Sequence, residues 1–468
     1  MKDLLKFIKS SGIYFLGNVL MKSLTFIMIP IYTRYINSSD FGTYDLNIAY
    51  ITFLCSVLFL DIWSAIMRFM FDYKKDEEKY KSILSGVVVF FLSTIVYTLL
   101  IVIISNYFDV KYIFWIYMYG LLMNFQNLFG YIARGFGKNI LYVVSGLVGS
   151  CVTVILCIVL LIGFKMDYKA LFISSCFGFL VNILIILISL KFVKNISKQS
   201  FDKDIFRKML IFSLPLCVNS VIFWFLTSYN KVIVVSKLGV SQNGIFAIAM
   251  KFSVIISLVT YCFQMSWQEL AFSKTTRDKE VLGSFYTKAI NLYLKMLFIG
   301  TLIIVPVTYI IFPIMVDKAY STSINLIPLC IVATVASAFS AFLGSIFGSI
   351  KKTNVIFTTT VFGCILNILC INLLITQIGL QAASLAMFLG FLLNIILRIR
   401  YLKKFMPIKI DYKSIALFVF LIIYISLSFL SHNIYLNLFN VIAFITILLI
   451  IYRVHILKFI KELRKLKV

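Results

Sequence analysis

The sequence predicts an all-α polytopic membrane protein of about 14 transmembrane helices, arranged as two parallel six-helix halves followed by two further helices. Three observations carry that expectation. The chain has 468 residues, of which 62% are hydrophobic and 13% charged; a soluble domain is about 45–50% apolar and about 25% charged. Long apolar runs recur from end to end without the alternation of barrel strands, and in lipid only helices and closed barrels satisfy their own backbone. The net charge of +26 is distributed unevenly between the connections, which is the mark of membrane sidedness rather than of nucleic-acid binding.

The first half takes its helices from runs at 10–33, 42–69, 83–105, 112–133, 140–162 and 170–190. The second takes 209–235, 244–270, 285–311, 324–350, 354–375 and 380–397, and the final pair is 414–430 and 436–452. This averages about 33 residues per span and leaves no room for a soluble domain. Pro30, Pro215, Pro306, Pro313 and Pro328 mark kinks or helix ends. With the N-terminus in the cytoplasm, cytoplasmic tails and connections hold 33 of the 44 Lys and Arg residues, against six on the other side. That bias supports an even number of spans with both termini inside. The start, MKDLLKFIKSSG, lacks a small-residue cleavage site, so the first helix is expected to be retained. The nine cysteines all fall in spans, without metal or disulfide spacing. Residues 456–466 read as a basic amphipathic stretch for the anionic leaflet, or equally as a solvated tail.

A coarse repeat divides the chain into 1–190, a cytoplasmic linker 191–208, 209–400, and an appendage 401–468. Thr33-Arg34-Tyr35 leads to Gly42-Thr43-Tyr44, as Ser236-Lys237-Leu238 leads to Gly244-Ile245-Phe246, an offset of about 202. Gly137-Lys138-Asn139 before the fifth helix matches Lys352-Thr353-Asn354 before the eleventh, an offset of about 215. Both pairs keep their side of the membrane, so the halves are parallel and expected to rock about a central cavity.

Charges inside spans are costly, about 2.5–3.5 kcal/mol for Lys or Arg at a helix centre, and therefore informative. Lys22, Lys231 and Lys251 read as cavity cations; a structural ion pair, with Asp61 beside Lys22, or snorkelling is the alternative. Arg34 reads as interfacial or substrate-contacting, and Arg68 as an entry cation or the partner of Asp72. The few intramembrane acids, Asp45, Asp61 and Glu269, leave a cationic interior that favours an anionic cargo; Asp61 and Glu269 are candidates for ion pairing or coupling. Among the polar and aromatic residues, Gln264 and Trp224 are candidates to line a sugar-passing cavity, with interhelical bonding as the alternative for each. No catalytic constellation, phosphate-binding glycine loop or acidic metal cluster appears. A membrane polymerase or transferase would call for a larger outer loop than about a dozen residues, so transport is the better class.

The segment IYFLGNVLMKSLTFIMIPIYTRYINSSDFGTYDL resembles the first two helices of the Wzx-type polysaccharide-unit flippases, members of the superfamily that also holds MATE exporters and the lipid II flippase. ARGFGKNILY, FSLPLCVNSVIFWFLTSYNKVIVVSKLG and GSIKKTNVIF are similar to later segments of that family, in the same order. The resemblance implies two V-shaped six-helix bundles. It also implies alternating-access export of undecaprenyl-diphosphate-linked oligosaccharide across the bacterial cytoplasmic membrane, for capsule, O-antigen or exopolysaccharide assembly. Implied partners are that glycan, membrane lipids, a polysaccharide polymerase and glycosyltransferases, and no nucleic acid. No cofactor is implied, and the driving force left open is an H+ or Na+ gradient or the membrane potential. Asn230-Lys231 stands where relatives often have Asp-Arg, keeping the cation without the acid. Fourteen helices resemble the lipid II flippase, which is the alternative substrate class; a MATE-type cation exporter fits less well, since intramembrane acids are scarce.

Overall fold

The computed structural model describes residues 17, 19–73, 75–190, 201–273, 279–350 and 352–465, which are helical apart from short turns, with no strand among them. The first half comprises α1 (19–27), α2 (Ile29–Tyr35), α3 (Ser38–Leu58), α4 (Ile62–Met70), α5 (Asp76–Tyr107), α6 (Ile113–Gly135), α7 (Asn139–Ile158, continued by a π turn) and α8 (Lys169–Leu190). The second comprises α9 (Lys203–Thr227), α10 (Tyr229–Leu238), α11 (Val240–Ser273), α12 (Lys279–Met315), α13 (Ile327–Ser349, entered through the 3-10 segment Lys318–Leu326), α14 (Thr353–Ile378) and α15 (Gln381–Phe405). The chain then adds α16 (Tyr412–Leu430) and α17 (Ile434–Lys465). Eleven described helical stretches are long and apolar enough to cross a membrane. Large apolar side chains left on the outside, such as Ile188, Leu373 and Phe420, are the surface that lipid covers.

Every expected span overlaps one of these helices or helix pairs, but three boundaries differ for local reasons. The run 42–69 is not one helix: Leu60 and Asp61 both take left-handed φ, near +54° and +53°, which stops α3 and starts α4. The linker 191–208 gives way to helix at Lys203, because the Asp202 carboxylate accepts from the Asp204 and Ile205 N–H groups at 2.9 and 3.1 Å; residues 191–200 lie outside the described set. The twelfth helix runs past 397 to Phe405, which moves Arg398 from a cytoplasmic connection into a helix. The side chains of the tail 456–466 also lie outside the described set. Pro30 and Pro328 sit in first turns, where a missing N–H costs nothing, whereas Pro215, Pro306 and Pro313 lie inside helices.

Glycine contacts show the repeat more plainly than its short motifs do. A Cβ on Gly149 or Gly178 would lie 2.6 Å from the other's carbonyl oxygen, so α7 and α8 cross backbone to backbone. Gly363 and Gly390 make the same crossing between α14 and α15, with 2.6 and 2.7 Å. Gly178 and Gly390 are 212 residues apart, and Gly149 and Gly363 are 214 apart. Between the halves, a Cβ on Gly42 would meet the Val240 carbonyl oxygen at 2.0 Å, and one on Gly244 would meet the Ser38 oxygen at 2.0 Å. Gly42 and Gly244, like Ser38 and Val240, are 202 residues apart, so the two contacts exchange with the halves and α3 and α11 meet on a pseudo-two-fold axis. Ser38 and Ser241 hydroxyls share a hydrogen bond at 2.6 Å beside the crossing.

The two extra helices lie along α12. Phe298 stacks on Phe418 at 5.2 Å, Tyr309 meets Phe429 edge-on at 5.2 Å, and Asn291 Nδ2 donates to the Lys409 carbonyl at 3.1 Å. Lys295 faces Asp411 in this seam.

Candidate functional site between the two halves

The short α10 follows α9 after a break at Ser228, and its start points polar side chains at α3 of the other half. Lys231 Nζ donates to Asp45 Oδ1 at 2.9 Å, with side chains only 20% and 18% exposed. Asn243 Nδ2, at the start of α11, donates to the Gly42 carbonyl at 2.9 Å and reaches Asp45 Oδ2 at 3.4 Å. Further along α11, the Lys251 ammonium lies over the rings of Tyr32 and Phe41, 5.2 and 5.5 Å from their centroids. Those rings stack on each other at 5.8 Å, and Lys251 is within electrostatic reach of Asp45 and Lys231. Lys231 holds the carboxylate at the junction, and Lys251 forms no salt bridge among the described residues. The cluster carries a surplus positive charge beside flat aromatic faces.

One residue before Lys231, Asn230 forms a reciprocal amide pair with Asn367: each Nδ2 donates to the other's Oδ1, at 3.2 and 3.0 Å. The remaining amide protons go to the Ala383 and Phe225 carbonyls at 2.8 and 3.0 Å, which ties α10, α14 and α15 together. Where an acid would introduce a charge, two neutral amides satisfy one another.

The other sequence candidates are spread out. Trp224 is not an open platform: it is 8% exposed, its Nε1 donates to the Ala49 carbonyl at 2.8 Å, and its ring packs on Phe53 at 4.7 Å, so it fastens α9 to α3. Lys22 is half-buried in α1, and Phe26 one turn on meets Phe252, the neighbour of Lys251, at 5.7 Å. Asp61 stands at the break between α3 and α4, in the N-cap position of α4, and accepts from the Ser64 hydroxyl at 3.1 Å, so it is a turn residue rather than a mid-helix acid. Arg68 pairs with Asp72 at 2.7 Å on an exposed surface, and Arg34 is exposed at the end of α2. The side chains of Gln264 and Glu269 lie outside the described set.

Sequence reasoning missed Arg398. It is 4% exposed, and all five N–H groups find an oxygen: Nε donates to Thr359 Oγ1 at 3.1 Å, Nη2 to Thr360 Oγ1 at 3.0 Å and to the Ile356 carbonyl at 3.5 Å, and Nη1 to the Ser340 hydroxyl at 3.1 Å and to the Ser340 carbonyl. No carboxylate pairs with it among the described residues. Asn394 one turn earlier, on the same helix face, was the available signal: two polar residues at i and i+4 mark an inward stripe, not a loop.

A family model described as polysaccharide biosynthesis protein matches residues 7–267. Solved structures share the fold at low identity. A lipid II flippase, MurJ, in an inward closed conformation has TM-score 0.69 and 16% identity, over 96% of this chain and 100% of that one. An inward-facing multidrug resistance MATE family transporter of the MOP superfamily has TM-score 0.64 and 15% identity, over 82% and 94%. An outward-facing one has TM-score 0.61 and 15% identity, over 85% and 94%. No curated protein matches the chain.

Proposed function

Since the chain belongs to the polysaccharide biosynthesis protein family, we propose that it is a flippase moving undecaprenyl-diphosphate-linked oligosaccharide units across the bacterial cytoplasmic membrane. The observation that carries this reading is the cationic junction: Lys231 pairs with Asp45 where the two halves meet, and the Lys251 ammonium lies over Tyr32 and Phe41 of the first half. A diphosphate entering there competes with Asp45 for Lys231 and also meets Lys251. Because the Lys231–Asp45 bond joins α10 to α3, anion binding exchanges an inter-half contact for a cargo contact. The cargo thereby acquires different affinities for the joined and parted arrangements, and that difference is what drives a conformational shift. Lys22, on the same side as the Phe26–Phe252 contact, adds a third cation to the path.

Similarity to a lipid II flippase over 96% of this chain and 100% of that one favours, as a second reading, a peptidoglycan precursor as cargo. One experiment separates the two readings and tests both. In a deletion strain, lipid-carrier intermediates are extracted and the accumulated glycan is identified by mass. Build-up of a surface-polymer unit with normal peptidoglycan supports the first reading, and build-up of lipid II supports the second. Accumulation of neither overturns the transport reading, and undiminished surface polymer after neutralising Lys22, Lys231 and Lys251 together removes the cationic junction from it.

A further inference from the structure

The second half contains a cavity of about 210 Å³ between α9, α13, α14 and α15, and Arg398 forms part of its wall. An apolar cavity of roughly 150 Å³ accepts a benzene ring, so this one has room for a single six-membered ring. Its lining suits a sugar rather than a hydrocarbon. Phe223 and Phe391, with centroids 6.4 Å apart, offer ring faces, while Asn219, Ser340 and Asn394 offer amides and a hydroxyl. Asn394 is 1% exposed and its Oδ1 has no hydrogen-bond partner, which leaves an unsatisfied buried acceptor in a residue of the cavity wall. Ser340 Oγ accepts from Arg398 Nη1 and keeps its own proton to donate. The guanidinium itself is fully bonded to neutral oxygens, so it exerts an uncompensated positive charge without needing direct contact.

We infer that this cavity is a binding subsite for one acidic pyranose, a sugar ring carrying a carboxylate. Its hydroxyls meet the Asn219 amide and, once the Asn394 side chain turns its unpartnered Oδ1 inward, Asn394; its ring lies against Phe223 and Phe391, and its anionic group faces the Ser340 hydroxyl in the field of Arg398. The site is separate from the Lys231–Lys251 junction and selects the glycan rather than the diphosphate; its role in transport rests on the flippase reading above.

The test uses full-length protein in detergent and saturation-transfer NMR titrations of methyl glucuronide, methyl glucoside and glycerol phosphate at matched ionic strength. The expected result is a Kd for the glucuronide roughly tenfold below that for the glucoside, the ratio a charge-assisted contact supplies. Asn219→Trp, which fills the mouth without touching the Arg398 cradle, should abolish the difference while the protein stays monodisperse. Arg398→Gln should equalise the two sugars. Equal wild-type affinities, or a preference that survives Asn219→Trp, overturn the proposal. Tighter binding of glycerol phosphate reassigns the cavity to a lipid headgroup and overturns it as well. A chain that moves lipid-linked units yet shows no preference refutes this subsite alone, whereas loss of carrier accumulation in the deletion strain refutes the transport reading.

Discussion

The two halves share a frame but place charge at opposite depths. In the first half, Asn182 and Ile186 occupy the positions on α8 that Asn394 and Arg398 occupy on α15, 212 residues later. Ile186 is fully buried, and Met21 fills the neighbouring space against Gly146, so an apolar side chain stands where the second half has its guanidinium. The second half has Thr360 at the position of Gly146, a guanidinium in place of the isoleucine, and a cavity. The order reverses at the helix ends. Before α8, Asp167 binds Lys111 at 3.1 Å and the Tyr112 hydroxyl at 2.5 Å, with Lys169 over the Tyr112 ring at 5.3 Å. The equivalent contact before α15 is uncharged: Gln381 Nε2 donates to the Asn325 carbonyl at 2.7 Å. A duplicated frame can thus keep its glycine crossings while its two copies diverge into a neutral wall and a charged pocket.

The largest expected effect comes from making the halves alike. Ile186→Arg buries a cation where Gly146 stands in place of Thr360 and Ser145 alone answers to the hydroxyls that surround Arg398, and it should cost about 3–5 kcal/mol, the penalty of a poorly compensated buried charge. Its measure is the monodisperse fraction of a fluorescent fusion in size-exclusion chromatography, and wild-type yield would mean the first half already offers a cradle. Arg398→Leu should cost about 3 kcal/mol through the charged hydrogen bonds it removes, and Arg398→Lys about half of that, read as thermal unfolding in detergent. Gly149→Ala and Gly363→Ala should each cost about 1–3 kcal/mol by overpacking, and about equally; a clear inequality would show that the frames are not equivalent. Asp45→Asn, at the junction that belongs to neither half, should cost about 1 kcal/mol or less, and the effect should shrink as salt is raised.

The smallest effect is a pH dependence confined to one half. Burial pushes the Asp167 carboxyl up, but the Tyr112 hydroxyl, the Lys169 N–H and Lys111 outweigh it and hold it below the usual carboxylate range. A carboxyl with a lowered folded pKa contributes stability above its unfolded value, near about 3.9, and loses it as pH falls through the folded one. Acidification below about 4 should therefore speed hydrogen exchange at residues 165–170 and leave 379–382 unchanged, and Tyr112→Phe should shift that onset upward.

The helical, multi-span fold was legible in the sequence because hydropathy is a local quantity. Helix ends were less so. The break at Leu60 and Asp61 is made by two non-glycine residues in left-handed conformation, which no propensity anticipates. Lys231 was singled out for its charge, but Asp45, its partner, lies 186 residues away on another helix, and nothing in the spacing couples them. Arg398 was lost in the opposite way: the positive-inside rule accounts for an arginine near a helix end so readily that its burial goes unsuspected. Trp224 shows the limit for aromatics, since a ring free to meet cargo and a ring fastening two helices read identically until the Ala49 carbonyl is seen beside it.

The crossing of α3 and α11 at Gly42 and Gly244 has a consequence for leverage. With backbones in contact there, the two helices have no side-chain cushion to slide on and can change their relation mainly by tilting about that point. A helix rises 1.5 Å per residue, so 20 residues from the crossing the arm is about 30 Å long, and a tilt of about 10° carries its far end about 5 Å. A fulcrum made of two hydrogen atoms, one on each glycine, would let small changes at the lysine junction beside it swing the distant ends of both halves, while the seam itself scarcely moves.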